Sequence, residues 1–274
     1  MKKLLALTMA ALMLTASMTG CKKEDDDYAL IKDNGEMVIG ITLFAPMNYY
    51  DDSETLIGFD TELATAVCEK LGVTPKFQEI NWDSKEIELN SKNIDCIWNG
   101  MCITEDRKAT MSISNPYLNN TQAMVMKSDV AEAYAKDPSG AAVVAEQGST
   151  GEGKLTGTIA DDETVVVSAK EFFANSTYTA VDSMAKALME VAAGTADIAL
   201  VDSVCAYGMV GEGTDYPNLV VNIDNEFGAQ QYGIAFRKGS NLTEKVNKAI
   251  EELTADGTVA KIAEKYNLSD MLVK

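Results

Sequence analysis

Two short stretches decide the fold: residues 93–98 read NIDCIW, and residues 195–200 read TADIAL. Each follows a segment with helical spacing and places an aspartate near the start of an apolar run, which predicts a strand buried on both faces. Strand and helix patterns alternate around both stretches, which indicates mostly parallel sheets flanked by helices. The chain therefore carries one α/β pattern twice, and two lobes with a cleft between them fit better than one barrel.

The elements around these stretches follow from periodicity and from helix-ending residues. The predicted strands cover residues 38–42, 74–80, 94–98, 141–145, 164–168 and 196–202. The predicted helices cover residues 60–71, 84–89, 182–193 and 241–266, the last with a break near Gly257. Asp60 is the predicted N-cap of the first helix, and Gly72 and Gly194 stop two of them as C-cap glycines do.

The N-terminus has the pattern of an export signal. Lys2 and Lys3 precede an apolar run that is too short to span a bilayer, so residues 1–20 are predicted to be a signal peptide. The small residues before Cys21 resemble a bacterial lipobox, which implies acylation of Cys21; an ordinary secretory signal with a chance cysteine is the alternative. Residues 21–27 are then the lipidated cysteine and a charged, solvated tether.

Composition excludes several classes of function. The formal charge is −19, and it becomes more negative without the two lysines of the signal peptide, so a basic nucleic-acid-binding face is not expected. The chain contains no histidine, which removes His-based catalytic triads and zinc sites. No cofactor or metal is predicted. The cysteines beyond Cys21 form no C-x-x-C pair and are read as unpaired thiols: Cys68, Cys96, Cys102 and Cys205.

Three segments together resemble one protein family. Residues 57–71 read IGFDTELATAVCEKL, residues 99–117 read NGMCITEDRKATMSISNPY, and residues 229–236 read AQQYGIAF. In this order they resemble the family 3 bacterial extracellular solute-binding proteins, the receptors of ABC importers for polar amino acids, including glutamine-binding and lysine/arginine/ornithine-binding members. The resemblance extends over residues 36–270.

The resemblance implies a type II periplasmic-binding-protein fold with two α/β lobes. It assigns residues 28–118 plus 233–274 to lobe 1 and residues 125–228 to lobe 2. Two crossing hinge strands, 119–124 and 229–232, then join the lobes. The ligand cleft lies between the lobes, which close around the ligand by a hinge motion.

The resemblance also assigns contacts to the charged groups of an amino acid. Arg107 matches the residue that binds the carboxylate, a role that suits its forked, always charged guanidinium. Asp202 matches the partner of the ammonium group, although it could instead cap the helix that starts at Ser203. Gly100 and Cys102 match positions with backbone and hydroxyl contacts. Cys102 departs from the usual Ser or Thr, which puts a side-chain contact in doubt and leaves its carbonyl as the expected acceptor.

The walls of the predicted pocket include aromatic residues. Phe44 and Trp82 match the positions that enclose the ligand side chain, and Trp82 lies in a polar strand-to-helix loop, which favours a site over a core position. Asn99 and Met101 are predicted to line the same pocket. Met47 fits either the core or the pocket wall.

A glycine-rich loop admits two interpretations. Residues 148–154 spell G-x-x-x-x-G-K, but Leu155 stands where a P-loop needs Ser or Thr for magnesium. By resemblance, Ser149 and Thr150 instead present backbone N–H groups to the ligand carboxylate at a helix start, a site that needs no nucleotide. The glycines after Thr150 predict a short or irregular helix there.

The predicted function is amino-acid binding outside the cytoplasm, by a monomer anchored to the membrane through Cys21 that delivers its ligand to an ABC permease. The alternatives are an enzyme resembling cyclohexadienyl dehydratases and a stand-alone amino-acid sensor. For the enzyme, no carboxylate is specifically placed to act as the general acid. A membrane-coupled sensor would need a segment after Lys274. Because neither Thr42 nor Phe44 is acidic, a neutral polar or sulfur-containing amino acid is preferred as the ligand.

Overall fold

The computed structural model describes residues 26–159, 165, 167–225 and 227–274. The predicted signal peptide, the predicted lipidation site Cys21 and most of the predicted tether lie outside these ranges. Among the described residues, every helix is either too short or too polar to serve as a transmembrane span.

The first lobe is built on a five-stranded sheet. Its strands are β1 (Glu36–Ile41), β4 (Thr74–Glu79), β5 (Cys96–Ile97), β6 (Met111–Ile113) and β13 (Ala235–Arg237), with a small separate hairpin of β2 (Tyr49–Tyr50) and β3 (Leu56–Ile57). The order in the sheet is β4-β1-β5-β13-β6; β1 pairs in parallel with β4 and β5, and β13 pairs antiparallel with β5 and β6. The helices are α1 (Asp27–Asn34), α2 (Phe59–Leu71), α3 (Lys85–Asn90), α4 (Glu105–Thr110), α10 (Leu242–Ala255) and α11 (Thr258–Lys265).

The second lobe is built on a sheet with the order β11-β7-β10-β8-β9. Its strands are β7 (Leu118–Lys127), β8 (Ala142–Glu146), β9 (Thr177–Val181), β10 (Ile198–Asp202) and β11 (Leu219–Asn222). The helices of this lobe are α5 (Ala131–Lys136), α6 (Thr150–Thr156), α7 (Ala169–Phe172), α8 (Met184–Ala193) and α9 (Ser203–Met209). Buried Val, Ile, Leu and Met side chains fill the space between each sheet and its helices.

Two strands join the lobes. The first residues of β7 pair antiparallel with β12 (Ala229–Tyr232), and the later residues of β7 pair with β10 and β11. The chain therefore leaves the first lobe through β7 and returns through β12. The predicted two-lobe α/β fold is confirmed.

The repeated aspartates have the same task in both lobes. Asp95 accepts a hydrogen bond at 2.9 Å from the amide of Val38, and Asp197 accepts one at 2.8 Å from the amide of Ala142. In each lobe, the acceptor thus ties the start of a middle strand to the start of its parallel neighbour. This shared bond explains why the same short pattern, aspartate before an apolar run, occurs twice.

The start of helix α2 differs from the prediction. Its N-cap is Gly58, and Asp60 lies inside the first turn, so Asp60 is not the cap. A side chain at Gly58 would bring Cβ to 2.2 Å from the carbonyl oxygen of Met47, and the backbone there has a φ of 125°. The Asp60 carboxylate is buried instead, where it accepts hydrogen bonds from the amide of Gly100 at 2.7 Å and from the hydroxyl of Tyr117 at 3.1 Å.

A strand of the second lobe lies at a different place from the predicted one. Part of the predicted strand 164–168 falls outside the described residues, and Val165, Val167 and Ser168 are not in a strand. The sheet is completed by β9, whose residues are mostly exposed at its edge. Because an exposed edge strand has little apolar periodicity, its sequence carried no clear signal.

The charged N-terminal segment also differs from the prediction. Asp26 caps helix α1, accepting from the amide of Ala29 at 2.9 Å, so the folded body begins before the predicted end of the tether at residue 27. Asp27 is 1% exposed and lies 3.0 Å from a guanidinium nitrogen of Arg237. Arg237 also lies 3.3 Å from Asp95, so one buried cation holds two carboxylates.

The remaining helix predictions agree with the structure. Helix α8 begins at Met184 with Ser183 as its N-cap and stops at Gly194. The C-terminal helix is interrupted at Gly257, which has a φ of 82°. Within the described part of the chain, the four cysteines are free and buried: Cys68, Cys96, Cys102 and Cys205.

Candidate functional site

A small cavity lies between the two lobes. The predicted site residues other than Met101 line it: Phe44, Trp82, Asn99, Gly100, Cys102, Arg107, Ser149, Thr150 and Asp202. Two further residues, Glu146 and Met184, complete the lining. The segments after β1, β4 and β5 supply one side, and the carboxyl ends of β8 and β10 supply the other. This placement follows the rule that ligand sites of α/β sheets form at strand carboxyl ends.

Arg107 lies in helix α4 and is 6% exposed. Thr104 caps the helix, accepting from the Arg107 amide at 3.2 Å, which fixes where the side chain begins. The guanidinium donates to the carbonyl oxygen of Cys102 at 2.7 Å and to that of Gly148 at 3.2 Å, and its Nη1 lies 3.5 Å from the Thr150 hydroxyl. Burial lowers the pKa of Arg107. Among the described residues, no carboxylate lies within ion-pair distance of this cation, so an anionic ligand would satisfy it.

Asp202 ends strand β10 and is 2% exposed. It occupies the N-cap position of helix α9, but its side chain does not cap that helix. Its carboxylate accepts hydrogen bonds from the amide of Gln122 and, at 2.8 Å, from the hydroxyl of Tyr232. Burial raises the pKa of Asp202, and the two hydrogen bonds oppose that rise. No cation pairs with Asp202 in the described part of the chain, so the geometry leaves room for a cationic group.

Gly100 and Cys102 form the wall beside Asp202. Gly100 has a φ of 53°, and an added Cβ would lie 2.9 Å from the Phe44 ring and 3.0 Å from Tyr232. The Cys102 thiol lies 3.7 Å from the nearer carboxylate oxygen of Asp202 and 3.2 Å from the side-chain oxygen of Gln230. Its carbonyl, the expected acceptor for the ligand ammonium, accepts a hydrogen bond from Arg107 and has a second lone pair for a further donor. Cys102 therefore supports both charged residues of the site.

Phe44, Trp82 and Asn99 line the cavity. The Asn99 amide is already engaged, since it donates to the Thr42 carbonyl and to the Asn48 side chain, both at 2.7 Å. Its side-chain oxygen accepts from the Thr42 hydroxyl at 2.6 Å. Asn99 thus holds the loop that carries Phe44, and the aromatic rings provide the apolar surface of the cavity.

Met101 does not line the cavity, so its predicted position was wrong. It is fully buried in a separate core cluster with Trp82, Leu89 and Ile94. Since Gly100 turns the backbone between them, the side chains on either side of this glycine point to different surroundings. Met47, which fitted either core or pocket, is fully buried in the main core of the first lobe.

The glycine-rich loop is held by its own side chains. Ser149 caps helix α6, accepting from the amide of Glu152 at 3.2 Å, and a Glu152 carboxylate oxygen accepts from the amide of Gly148 at 2.6 Å. The helix has seven residues and stops at Gly157, as its glycines predicted. Within the described residues, the amide of Thr150 makes no internal hydrogen bond. It can therefore serve an anion that also reaches Arg107.

Glu146 is a residue of this site that the sequence reasoning missed. It ends strand β8, is 3% exposed and lines the cavity. Burial, followed by the charge of Asp202, raises the pKa of Glu146 to about 8. A signal was present, because VVAE at 143–146 and ALVD at 199–202 both end a buried strand with a carboxylate. Carboxyl ends of neighbouring parallel strands meet at one edge of a sheet.

The lobes touch on both sides of the cavity. Lys85 of the first lobe donates to the Gly148 carbonyl at 3.0 Å, and burial and Arg107 lower the pKa of Lys85 to about 8. Gln147 donates to the Asp83 carboxylate at 3.1 Å. On the opposite side, a Cβ at Gly208 would lie 2.5 Å from the ring of Pro46. These contacts describe a closed arrangement of the lobes.

Comparison with known proteins gives consistent results. A model of the family described as bacterial extracellular solute-binding proteins, family 3, matches residues 37–269. The chain is 27% identical over 268 residues to the arginine-binding extracellular protein ArtP of Bacillus subtilis, a match that covers 97% of this chain and 98% of that protein. It is 28% identical over 278 residues to the L-cystine-binding protein TcyA of the same organism, covering 97% of each.

A solved structure extends the comparison to the fold. An ABC uptake transporter substrate-binding protein from Streptococcus pneumoniae with bound histidine has a TM-score of 0.77 and 28% identity, and the match covers 91% of this chain and 99% of that chain. The predicted type II arrangement of two lobes around a cleft is therefore confirmed.

Proposed function

We propose, from the premise that this chain belongs to family 3 of the bacterial extracellular solute-binding proteins, that it binds a free L-amino acid between its lobes and passes it to the permease of an ABC importer. Since the family and the relatives compared above are binding proteins, the chain is a binding protein and not an enzyme. No observation favours the alternative function of a stand-alone amino-acid sensor.

One observation carries the proposal: the cavity holds a buried cation and a buried anion, each without a charged partner in the described structure. Arg107 is positioned for a carboxylate, and Asp202 is positioned for an ammonium group. Burying an unpaired charge is costly, so these two residues favour a ligand that carries both opposite charges. An α-amino acid zwitterion has this arrangement, with its carboxylate toward Arg107, Ser149 and Thr150 and its ammonium toward Asp202.

Closure of the lobes accounts for retention of the ligand. The carbonyl of Gly148, in the second lobe, accepts hydrogen bonds from Lys85 and Arg107 of the first. An amino acid bound to Arg107 and Asp202 would add contacts to both lobes, and it would therefore stabilise the closed state over an open one. Amino-acid release to a permease then requires that these few contacts separate.

A thermal-shift screen of the mature chain against the twenty proteinogenic amino acids and cystine tests the proposal. A ligand present at 100 times its dissociation constant stabilises the folded state by about 2.7 kcal/mol, which raises the unfolding temperature by several degrees. The matching amino-acid analogue with a blocked α-carboxylate serves as the control. If no amino acid shifts the unfolding temperature, amino-acid binding is excluded.

The membrane anchor is a further part of the proposal. The lipobox-like residues before Cys21 support acylation of this cysteine, and residues 22–25 would then connect the lipid to helix α1. Two acyl chains on one N-terminal residue suffice for stable attachment without a transmembrane span. The location proposed for the protein is therefore the outer side of the cell membrane.

Cys21→Ser is expected to move the protein from the membrane fraction to the soluble fraction, because serine offers no thiol for acylation. The measurement is immunoblotting of fractionated cells, with Cys68→Ser as a matched control that should leave the distribution unchanged. Membrane attachment of the Cys21→Ser protein would rule out this anchor.

A further inference from the structure

Glu146 stands beside Asp202 but is not part of the zwitterion-binding arrangement. Strands β8 and β10 are parallel, with Val143 opposite Ile198 and Val144 opposite Ala199. Continuing this register places Glu146 next to the last residues of β10. The cavity therefore has two neighbouring carboxylates, whereas an α-amino acid has a single α-ammonium group.

One carboxylate oxygen of Glu146 has no hydrogen-bond partner in the described structure. This atom, Oε1, is fully buried and accepts no hydrogen bond. The two nearby cations donate hydrogen bonds to backbone carbonyls instead: Arg107 donates to those of Cys102 and Gly148, and Lys85 donates to those of Trp82 and Gly148. A buried carboxylate oxygen without a donor is costly unless a ligand supplies the donor.

We propose that Glu146 determines specificity by binding a positively charged group at the end of the ligand's side chain, so that the ligand is a cationic L-amino acid. This inference rests on the proposed function, because it uses Arg107 and Asp202 for the α-carboxylate and α-ammonium groups. The aromatic side chains of Phe44 and Trp82 line the same cavity and favour a cation over a neutral group of equal size. A guanidinium could also bind the carboxylate through two parallel hydrogen bonds.

The presence of Glu146 in the cavity contradicts the reason for predicting a neutral amino acid as the ligand. That preference rested on the absence of an acidic residue at Thr42 and Phe44. The acidic residue enters the cavity from the other lobe, at the end of β8. The acidic residue is therefore in the second lobe, whereas Thr42 and Phe44 are in the first.

The site should also bind its ligand in a pH-dependent manner. The charged groups around Glu146 are Asp202, which raises its pKa, and Lys85 and Arg107, which lower it; burial is the largest cause and leaves a pKa of about 8. In the absence of ligand, the carboxyl is therefore mostly protonated at pH 7. A ligand cation favours the ionised form, so binding releases a proton and affinity rises as the pH increases from 6 toward 8.

Isothermal titration calorimetry with L-arginine, L-lysine and L-citrulline tests the proposal. Citrulline has nearly the shape of arginine but no side-chain charge. The wild-type protein is expected to bind one of the two cationic amino acids at least about tenfold more tightly than citrulline, since hydrogen bonds to charged groups contribute about 1.5–3 kcal/mol. Glu146→Gln, which keeps the size of the side chain, should lose about 10- to 100-fold in affinity for that cation and should bind citrulline as well as before.

The outcomes separate this inference from the proposed function. If wild type binds neither arginine nor lysine more tightly than citrulline, or if Glu146→Gln keeps the wild-type preference, the role of Glu146 is overturned while amino-acid binding stands. Binding of no amino acid overturns both. An affinity for the cationic ligand that does not change between pH 6 and 8 also contradicts the inference. If wild type shows the expected pH dependence of affinity, Glu146→Gln should remove it. Circular dichroism of both proteins establishes that the variant is folded.

Discussion

Arg107→Ala is expected to reduce amino-acid affinity by about 30- to 5,000-fold, because truncating one partner of a buried, hydrogen-bonded charge pair costs about 2–5 kcal/mol. The ligand carboxylate would lose a cation that is itself buried. The lobes would also lose the guanidinium's 3.2 Å hydrogen bond to the Gly148 carbonyl. The measurement is titration calorimetry with whichever amino acid gives the largest thermal shift.

The structure supplies a matched control for this variant. Lys108 follows Arg107 in helix α4, but it is exposed and pairs with Glu105 at the surface at 2.8 Å. Lys108→Ala removes the same charge from the same helix and should leave affinity unchanged. Arg107→Lys should recover only part of the affinity, since an ammonium cannot make the two parallel bonds of a guanidinium. Undiminished affinity of Arg107→Ala would contradict the assignment of the carboxylate site.

The effect of Arg107→Ala on stability should differ from its effect on binding. Burial lowers the pKa of Arg107, which means that the folded state holds this charge at a cost. The variant removes that cost but also loses the hydrogen bonds to the carbonyls of Cys102 and Gly148, so without ligand its unfolding temperature should stay near that of wild type. The ligand-induced increase in unfolding temperature should disappear. This pattern distinguishes a binding residue from one that maintains the fold.

Arg237→Met is expected to destabilise the protein by about 3–5 kcal/mol, the usual cost of breaking a buried ion pair from one side. Arg237 is buried between Asp27 and Asp95 and also donates to the carbonyl of Ile94 at 2.8 Å. Methionine fills similar space but leaves both carboxylates without a cation. The measurement is unfolding by urea, followed by circular dichroism.

A surface pair provides the comparison for Arg237→Met. Lys76 lies 3.4 Å from Glu36 across neighbouring strands of the same sheet, and both side chains are largely exposed. Exposed pairs contribute at most about 1 kcal/mol, so Lys76→Met should have a small effect. If both variants lose equally little stability, Arg237 does not anchor helix α1. Amino-acid affinity of the folded Arg237→Met protein should remain near wild type, since Arg237 does not line the cavity.

Local patterns in the sequence determined the architecture of this protein. Apolar runs with an aspartate near their start predicted the buried strands, and Gly72, Gly194 and Gly257 marked the ends or breaks of helices. These signals depend on neighbouring residues along the chain, so they can be read without the fold. One of the three family-like segments, residues 99–117, carries four of the cavity-lining residues: Asn99, Gly100, Cys102 and Arg107. The other predicted lining residues lie outside these segments.

The tertiary structure alone decided how individual side chains are used. Asp60 reads as a helix cap but lies buried against the amide of Gly100, and Asp27 reads as a solvated tether residue but pairs with Arg237, 210 positions away. Met101, which was expected in the cavity, lies in the core, and Glu146, which was not predicted, lines the cavity. The free energy of a buried charge depends on its partners in space, and the sequence near Asp27 or Glu146 does not contain those partners.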